Sequence, residues 1–331
     1  MDILKTALLG GTVFTFISCG AQSHKQNMNA ESEELTRIEM SVPVFEEDSA
    51  YKYMQQQVDF GFRIPNTTAH RATAEFLASE LGRHGADVFI QEARVTAYNG
   101  TILNAKNIIG SYSPEKDRVL LFAHWDSRPY ADNDPDKANH QKPIMGANDG
   151  ASGVGVLLEI ARLVGERLPN IGIDIIFFDA EDYGQPYFYE GPENEDSWAL
   201  GTQYWAARPH RPGYRARYGI LLDMVGGKDA IFAREGFSQR YASGVNDKVW
   251  SAAQRLGYGK YFVNTEGGYI TDDHVYVNRM GIPSIDIIQY DPNTETGFCK
   301  QWHTLDDTMD FIDKETLKAV GQTVLEIIYN E

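Results

Sequence analysis

A single α/β domain, built on a twisted and mostly parallel central sheet with a mixed edge and helices on both faces, is the fold class this sequence predicts. Three observations carry it. Strand-like and helix-like stretches alternate through most of the chain, the pattern of parallel strands joined by helical crossovers. Ahead of them, Asn99-Gly100 joins two stretches of alternating polarity, which adds an antiparallel hairpin at one edge. The 331 residues, 42% hydrophobic and 12% aromatic, suffice for one large core, and no long polar or repeated tract interrupts the chain after about residue 48.

The first residues, MDILKTALLGGTVFTFISCGAQS, hold an apolar stretch from Ala7 to Ile17. It is short for a membrane span and reads as a secretory signal. Ile17-Ser18-Cys19-Gly20 further resembles a bacterial lipoprotein cleavage site, with Cys19 as the lipidated first residue of the mature chain. Phe16 stands where leucine is usual, and the preceding segment has only Lys5, offset by Asp2. The expected organisation is a signal peptide over 1–18, a polar lipid-anchored tether over 19–48 and the folded domain over 49–331, exported to the periplasm. The other cysteine is Cys299; with Cys19 carrying lipid, no internal disulfide forms, and stability rests on the core and on a metal.

Within the domain, residues 49 to 60 and 68 to 84 carry apolar positions at helical spacing, the second with Thr67 or Thr68 as cap and Gly85 as stop. Residues 86 to 98 and 101 to 110 are the hairpin strands. Strands follow at RVLLFAHWD, 172 to 179, 218 to 225 and 283 to 290, with helices at 151 to 167, 238 to 256 and 314 to 329. In such sheets, sites form beyond the carboxyl ends of the strands.

Those ends are rich in acids and histidines. His124 and Asp126 follow RVLLFA, Asp149 sits in GANDGASG before a helix, and Asp179, Glu181 and Asp182 close IGIDIIFFDAEDYG. Asp223 lies within GILLDMVG, Asp272 and Asp273 in TDDH, and His303 in QWHTLDD. Carboxylates and imidazoles without thiolates suit zinc in an open, catalytic site. Taken singly, Asp149 reads equally as a helix cap and His303 as an ordinary histidine. Asp223 inside an apolar strand needs a partner or a metal, and it is the convergence of all of them that argues for a site.

Other candidates are weaker. DNDPD at 132 to 136 spaces acids like a calcium loop but has Pro135, Lys137 in the glycine position and no closing glutamate. GANDGASGVGV lacks dinucleotide or phosphate-loop spacing, Ser152 lacks the nucleophile-elbow frame, and Cys299 would need a base such as His303. Lys and Arg total 30 against 47 Asp and Glu, a formal charge of -17. That balance disfavours nucleic acid and anionic lipid surfaces as partners, leaving membrane attachment to the lipid anchor alone.

AHWDS, GANDGASG, FFDAEDYG, GILLDMVG, TDDHVYV and QWHTLDD, in this order and spacing, resemble the zinc-aminopeptidase-like (M28) clan, and within it the bacterial glutaminyl cyclases of the animal type. The resemblance runs over roughly residues 50 to 331. It implies the zinc-aminopeptidase-like α/β fold, one zinc ion per chain held by Asp149, Asp182 and His303, Glu181 as acid/base, and Asp223 and Asp272 as acids hydrogen-bonded around substrate and Glu181. It further implies a hydrophobic pocket made by Trp198, Phe298 and Trp302. The implied partners are peptides and proteins with N-terminal glutamine, and the expected state is a monomer. Two departures stand out: Glu181-Asp182 replaces the two adjacent glutamates of the animal enzymes, as in bacterial relatives, and the animal disulfide is absent.

Two other readings stay open. A two-zinc aminopeptidase of the same clan would use His124, Asp149, Asp182, Asp223 and His303, with His124 as the added ligand for the second metal, and each of those residue types is present. Against it, Trp125 and Trp302 are expected to crowd the space of a bridging hydroxide. A non-catalytic binding module on the same fold is the third reading, although it would have no need of Glu181 and a full ligand set.

Overall fold

Residues 41–331 are described by the computed structural model; the expected signal segment, Cys19 and the tether as far as residue 40 lie outside the described residues. Helices α1 (Glu47–Asp59) and α2 (Thr68–Arg83) come first. Thr67 caps α2 as expected, its side chain accepting from the His70 amide, and Gly85 follows in the left-handed region, φ 84°. The boundary at residue 48 needs correction. Phe45 is fully buried and its amide donates to Gln322 Oε1 at 2.9 Å, so packing begins before residue 49. The polar composition of the preceding segment hides this one aromatic anchor.

The predicted hairpin is β1 (Asp87–Thr96) and β2 (Ile102–Tyr112), antiparallel with Thr96 opposite Ile102. The parallel strands are β3 (Arg118–His124), β4 (Gly172–Phe178), β5 (Gly219–Asp223) and β8 (Ser284–Ile288). They assemble in the order β1-β2-β4-β3-β5-β8: β2 meets β4 antiparallel, while β4, β3, β5 and β8 run parallel. The mixed edge and parallel centre are those expected. A separate parallel pair, β6 (Phe232–Arg234) and β7 (Phe262–Glu266), lies outside this sheet.

Helices α3 (Ala151–Glu166), α5 (Gly236–Arg255) and α7 (Lys314–Tyr329) match the predicted ones to within two residues or so. Two were not foreseen, α4 (Leu200–Ala207) and α6 (Asp273–Arg279). At eight and seven residues they are too short to display a helical period, and the same holds for the three residues of β6. Among the described residues no helix is long and apolar enough to cross a membrane.

The apolar runs of β3, β4 and β5 are buried throughout because both faces are covered. Leu121, Ile175 and Leu222 face a core shared with α1, α3 and α7, whereas Leu120, Ile176 and Leu221 face a smaller one with Trp205 and Val277. Helix α3 lies hard against β5: a Cβ at Gly153 would meet the Leu222 carbonyl at 2.1 Å. That glycine sets how closely GANDGASG can approach the end of β5.

The smaller core has a titratable edge. His210 packs against Trp205 and Tyr214, and its Nδ1 accepts from Trp205 Nε1 at 3.0 Å, which leaves the ring neutral. Burial pushes its pKa down to about 4 from the ordinary 6.5. The unfolded chain therefore binds a proton that the folded one refuses, and the stabilisation present above pH 6.5 is lost as pH falls toward 4. His210→Gln, which keeps an acceptor for Trp205, is expected to lessen the loss of stability over that window. The difference is at most about 3 kcal/mol and smaller here because the ring is partly exposed. Urea midpoints of both proteins at pH 7 and pH 4.5 check it; parallel declines would refute it.

Candidate metal and catalytic site

Three adjacent strands, β4, β3 and β5, deliver their carboxyl ends to one edge. Phe178 pairs with His124, so Asp179-Ala180-Glu181-Asp182 emerges beside His124, and Asp223 ends β5. His124 Nε2 lies 3.1 Å from Asp149 Oδ1 and 3.2 Å from Asp223 Oδ1. On the other side of Asp149, His303 Nε2 lies 3.3 Å from Asp182 Oδ1 and 3.6 Å from Asp149 Oδ2. Two triads result, His124/Asp149/Asp223 and Asp149/Asp182/His303, all buried, with the candidate ligand atoms of each within 4.8 Å of one another. Asp149 belongs to both, and its reading as a helix cap fails: Gly150 occupies the cap position of α3, which has no side-chain cap.

The second triad fits a divalent cation. Asp182 Oδ2 is buried and makes no hydrogen bond. Burial and the neighbouring Asp149 carboxylate push Asp182 up to about 6, a penalty that a cation between the two acids would remove. Two carboxylates and one imidazole leave an open coordination position of the kind catalytic zinc uses.

Glu181 and Asp182 are adjacent in sequence but separate in role. Their amides donate to the two oxygens of Asp126, at 3.1 and 3.2 Å, which fixes the turn after β4. Burial first, and then the Asp272 carboxylate, hold the Glu181 carboxyl well above the usual range. Asp223, likewise buried, is pushed up to about 7, and Asp272 caps α6. Asp179, third of the acids in this stretch, faces away: its carboxylate receives His70 Nε2 at 2.7 Å and the Lys106 amide at 2.6 Å. It ties α2 to the sheet.

Four non-glycine residues with left-handed backbones surround the site: Ala180, Ala199, Met224 and His303, with φ between 48 and 54°. Three of them adjoin Glu181, Trp198 and Asp223, and the fourth is itself a candidate ligand. Such strain persists where the surroundings over-determine the backbone, as they do at functional sites.

A cleft of about 340 Å³ opens over these groups, lined by Glu181, Asp223 and Asp272 on its polar side. Trp198, Phe298 and Trp302 form its apolar wall, in the place expected of them. Trp302 stacks on His303 with centroids 3.8 Å apart, and Phe298 packs on Trp302 at 4.4 Å. Trp198 runs nearly parallel to His303 at 6.0 Å. Trp125 is a correction: it stacks on His70 at 4.5 Å, its Nε1 donates to the Lys106 carbonyl at 3.0 Å, and it is fully buried. Next to His124 in sequence, it points to the other side and crowds nothing in the cleft.

Sequence reasoning missed the groups that hold this edge together. Asp307 accepts from the amides of Asn148 and Asp149 at 2.7 and 3.1 Å. Arg63, fully buried, donates to the carbonyls of Trp125, Met145 and Gly146 at 3.0, 2.8 and 2.6 Å. The acids of DNDPD do not form a calcium loop: Asp132 pairs with Arg128, and Asp134 accepts from the Leu305 amide at 3.1 Å. Asp307 stands inside QWHTLDD and was within reach of motif reading, whereas Arg63 in a turn-rich stretch carried no signal. Cys299 is buried, and burial pushes its thiol up to about 12, which removes it as a nucleophile.

The sequence pattern of peptidase family M28 matches residues 107–328. Among solved structures, the chain is 60% identical to the glutaminyl cyclase of Bacteroides thetaiotaomicron in its complex with N-acetylhistamine. Their TM-score is 0.86, over 88% of this chain and 100% of that one. It is 62% identical, with a TM-score of 0.87 over 88% and 100%, to a Zn-dependent exopeptidase from Parabacteroides distasonis. Curated relatives are more distant. The glutaminyl-peptide cyclotransferase of Bos taurus is 27% identical over 255 residues, covering 68% of this chain and 65% of that protein. The aminopeptidase YwaD of Bacillus subtilis is 29% identical over 252 residues, 72% of this chain and 47% of that protein.

Proposed function

The chain belongs to peptidase family M28, and from that premise we propose that it is a glutaminyl-peptide cyclotransferase, converting N-terminal glutamine of peptides and proteins to pyroglutamate with release of ammonia. The observation that carries the reading is the aromatic wall: Trp302 lies flat on His303, braced by Phe298, with Trp198 opposite. It leaves an apolar slot over the ligand triad that admits a small side-chain amide and excludes bulk water. Likeness to bacterial glutaminyl cyclases over their whole length supports the same conclusion.

In the reaction, the α-amine attacks the γ-amide carbon of its own side chain. A carbon–nitrogen bond forms to the amine, the bond to the amide nitrogen breaks, and one proton moves from the first nitrogen to the second. In this reading Glu181 accepts that proton and returns it to the departing ammonia; a carboxyl raised by burial and by Asp272 is a better base than an exposed one. Asp223 and Asp272, flanking Glu181 in the cleft, hold the amine in line. Asp149, Asp182 and His303 would hold one zinc ion, which supplies Lewis-acid polarisation of the γ-carbonyl when bound. Trp198, Phe298 and Trp302 exclude water, which would otherwise turn cyclisation into hydrolysis.

Mass spectrometry of a short glutamine-headed peptide incubated with the protein, with and without a chelator, tests this. The expected result is loss of ammonia from an otherwise intact peptide, abolished by chelation and restored by zinc. The complete first triad of His124, Asp149 and Asp223 favours one rival, a two-zinc aminopeptidase. Release of a free amino acid, with two zinc ions per chain, would establish it instead. We further propose that the chain is exported, anchored through lipid on Cys19 and monomeric, meeting substrates as their N-terminal glutamines become exposed outside the cytoplasm. Labelling with a fatty-acid analogue that disappears in Cys19→Ala is the check on the anchor.

A further inference from the structure

We propose that Asp132, clamped by Arg128, is the positioning residue that orients His303 for metal binding. The inference rests on the reading of Asp149, Asp182 and His303 as the metal site. To bind through Nε2, the nitrogen facing Asp149 and Asp182, the His303 ring must be neutral and carry its proton on Nδ1. That Nδ1 is buried and makes no hydrogen bond of its own. The carboxylate it faces is Asp132, whose Oδ1 lies 3.3 Å away, close enough for a small turn of the ring to complete the bond.

Asp132 is fixed by three hydrogen bonds from two partners. Arg128 grips it two-pronged, Nε to Oδ1 and Nη2 to Oδ2, both at 2.7 Å, and the Tyr187 amide donates to Oδ2 at 3.0 Å. The neighbouring Asn133 main-chain amide donates to the His303 carbonyl at 3.1 Å, so this segment holds the main chain of His303 and faces its ring. Arg128, fully buried, also reaches a second ligand: its Nη1 donates to the Asp182 carbonyl at 3.0 Å and lies 3.4 Å from Asp182 Oδ1. One ion pair thus touches two of the three ligands, Asp132 facing His303 and Arg128 facing Asp182. Neither residue lines the cleft; besides the ligands, Arg128 meets the cleft wall through its guanidinium, 4.6 Å from the centroid of the Trp198 ring. Through Tyr187, the same carboxylate staples the loop that leads to Trp198.

The alternative is that Arg128 and Asp132 form a buried ion pair with a purely structural role. The two differ in zinc affinity, which is measured on the full chain by competition with a chromogenic chelator. Asp132→Asn keeps the shape but lacks the charge that holds the Nδ1 proton, and it is expected to weaken zinc binding about 10–100-fold while the metal-free protein keeps its circular dichroism. Wild-type zinc affinity in folded Asp132→Asn would overturn the proposal and leave the metal site intact; a wild-type chain that binds no zinc would overturn the metal-site reading itself, and this proposal with it. A second measurement needs no variant. In the zinc-loaded wild type with ¹⁵N-labelled histidine, His303 should show its proton on Nδ1, and a proton found on Nε2 would overturn the assignment. Cyclase activity is not read in either experiment, so failure of the cyclase reading would be seen separately.

Discussion

Glu181→Gln is expected to lower kcat for a glutamine-headed peptide by about two to four orders of magnitude, with bound zinc unchanged and thermal stability not lowered, because the carboxyl it removes is disfavoured by burial and by Asp272. Glutamine matches glutamate in shape and cannot carry a proton between nitrogens. The position is held by the backbone rather than by the side chain: the Glu181 amide is fixed on Asp126, and Ala180 before it is locked in a left-handed conformation, φ 54°. Nothing in that frame depends on the charge of Glu181, so loss of rate would report proton transfer and not disorder. Single-turnover kinetics together with metal content by atomic absorption separate the possibilities. A variant that retains most of its kcat would remove Glu181 from the chemistry; one that loses zinc as well would make Glu181 part of the metal site.

Arg63→Met is expected to cost about 3–5 kcal/mol of stability, the range seen when a buried charged partner is removed. Three carbonyls, those of Trp125, Met145 and Gly146, depend on this one guanidinium, and each buried acceptor left unpaired costs about 1–3 kcal/mol, not additively. Burial brings the Arg63 pKa down to about 10, yet Asp307, Asp126, Asp149 and Asp182 surround it and favour its charged form. Its removal therefore also strips a positive charge from beneath an acid-rich edge. Urea unfolding of chelator-treated protein checks the effect free of metal linkage; the midpoint should fall with the slope unchanged. A shift worth under about 1 kcal/mol would mean that water replaces the guanidinium at those carbonyls.

Much of the fold could be read from local pattern. The continuous apolar runs of RVLLFA and IIFF announce strands covered on both faces, and the alternation of the hairpin announces one covered face, because side chains alternate across a strand with a period of two; the exception is β2, which from Asn107 onward is buried on both faces. The carboxyl-end rule then led to His124, Glu181, Asp182 and Asp223 without any knowledge of strand order. Short elements escaped: α4, α6 and β6 span too few residues for a period to appear, and they form because the surrounding domain holds them. Phe45 escaped because burial is a property of place rather than of the polar company a residue keeps in sequence.

By itself, then, the sequence determined the α/β class, the hairpin, the strand ends that carry the chemistry and, through six ordered motifs, the family. Tertiary structure alone decided which neighbours in the chain part company. Asp179 turns to His70 while Glu181 and Asp182 enter the site, and Trp125 turns to Lys106 while His124 faces Asp149. It also decided which distant residues meet: Arg63 with Gly146, Asp149 with Asp307, His303 with Asp132. The physical reason is range. Period, capping and turn chemistry act over a few residues and leave their mark on adjacent positions, whereas a buried hydrogen bond or ion pair across 80 to 170 residues depends on where packing brings the chain back upon itself.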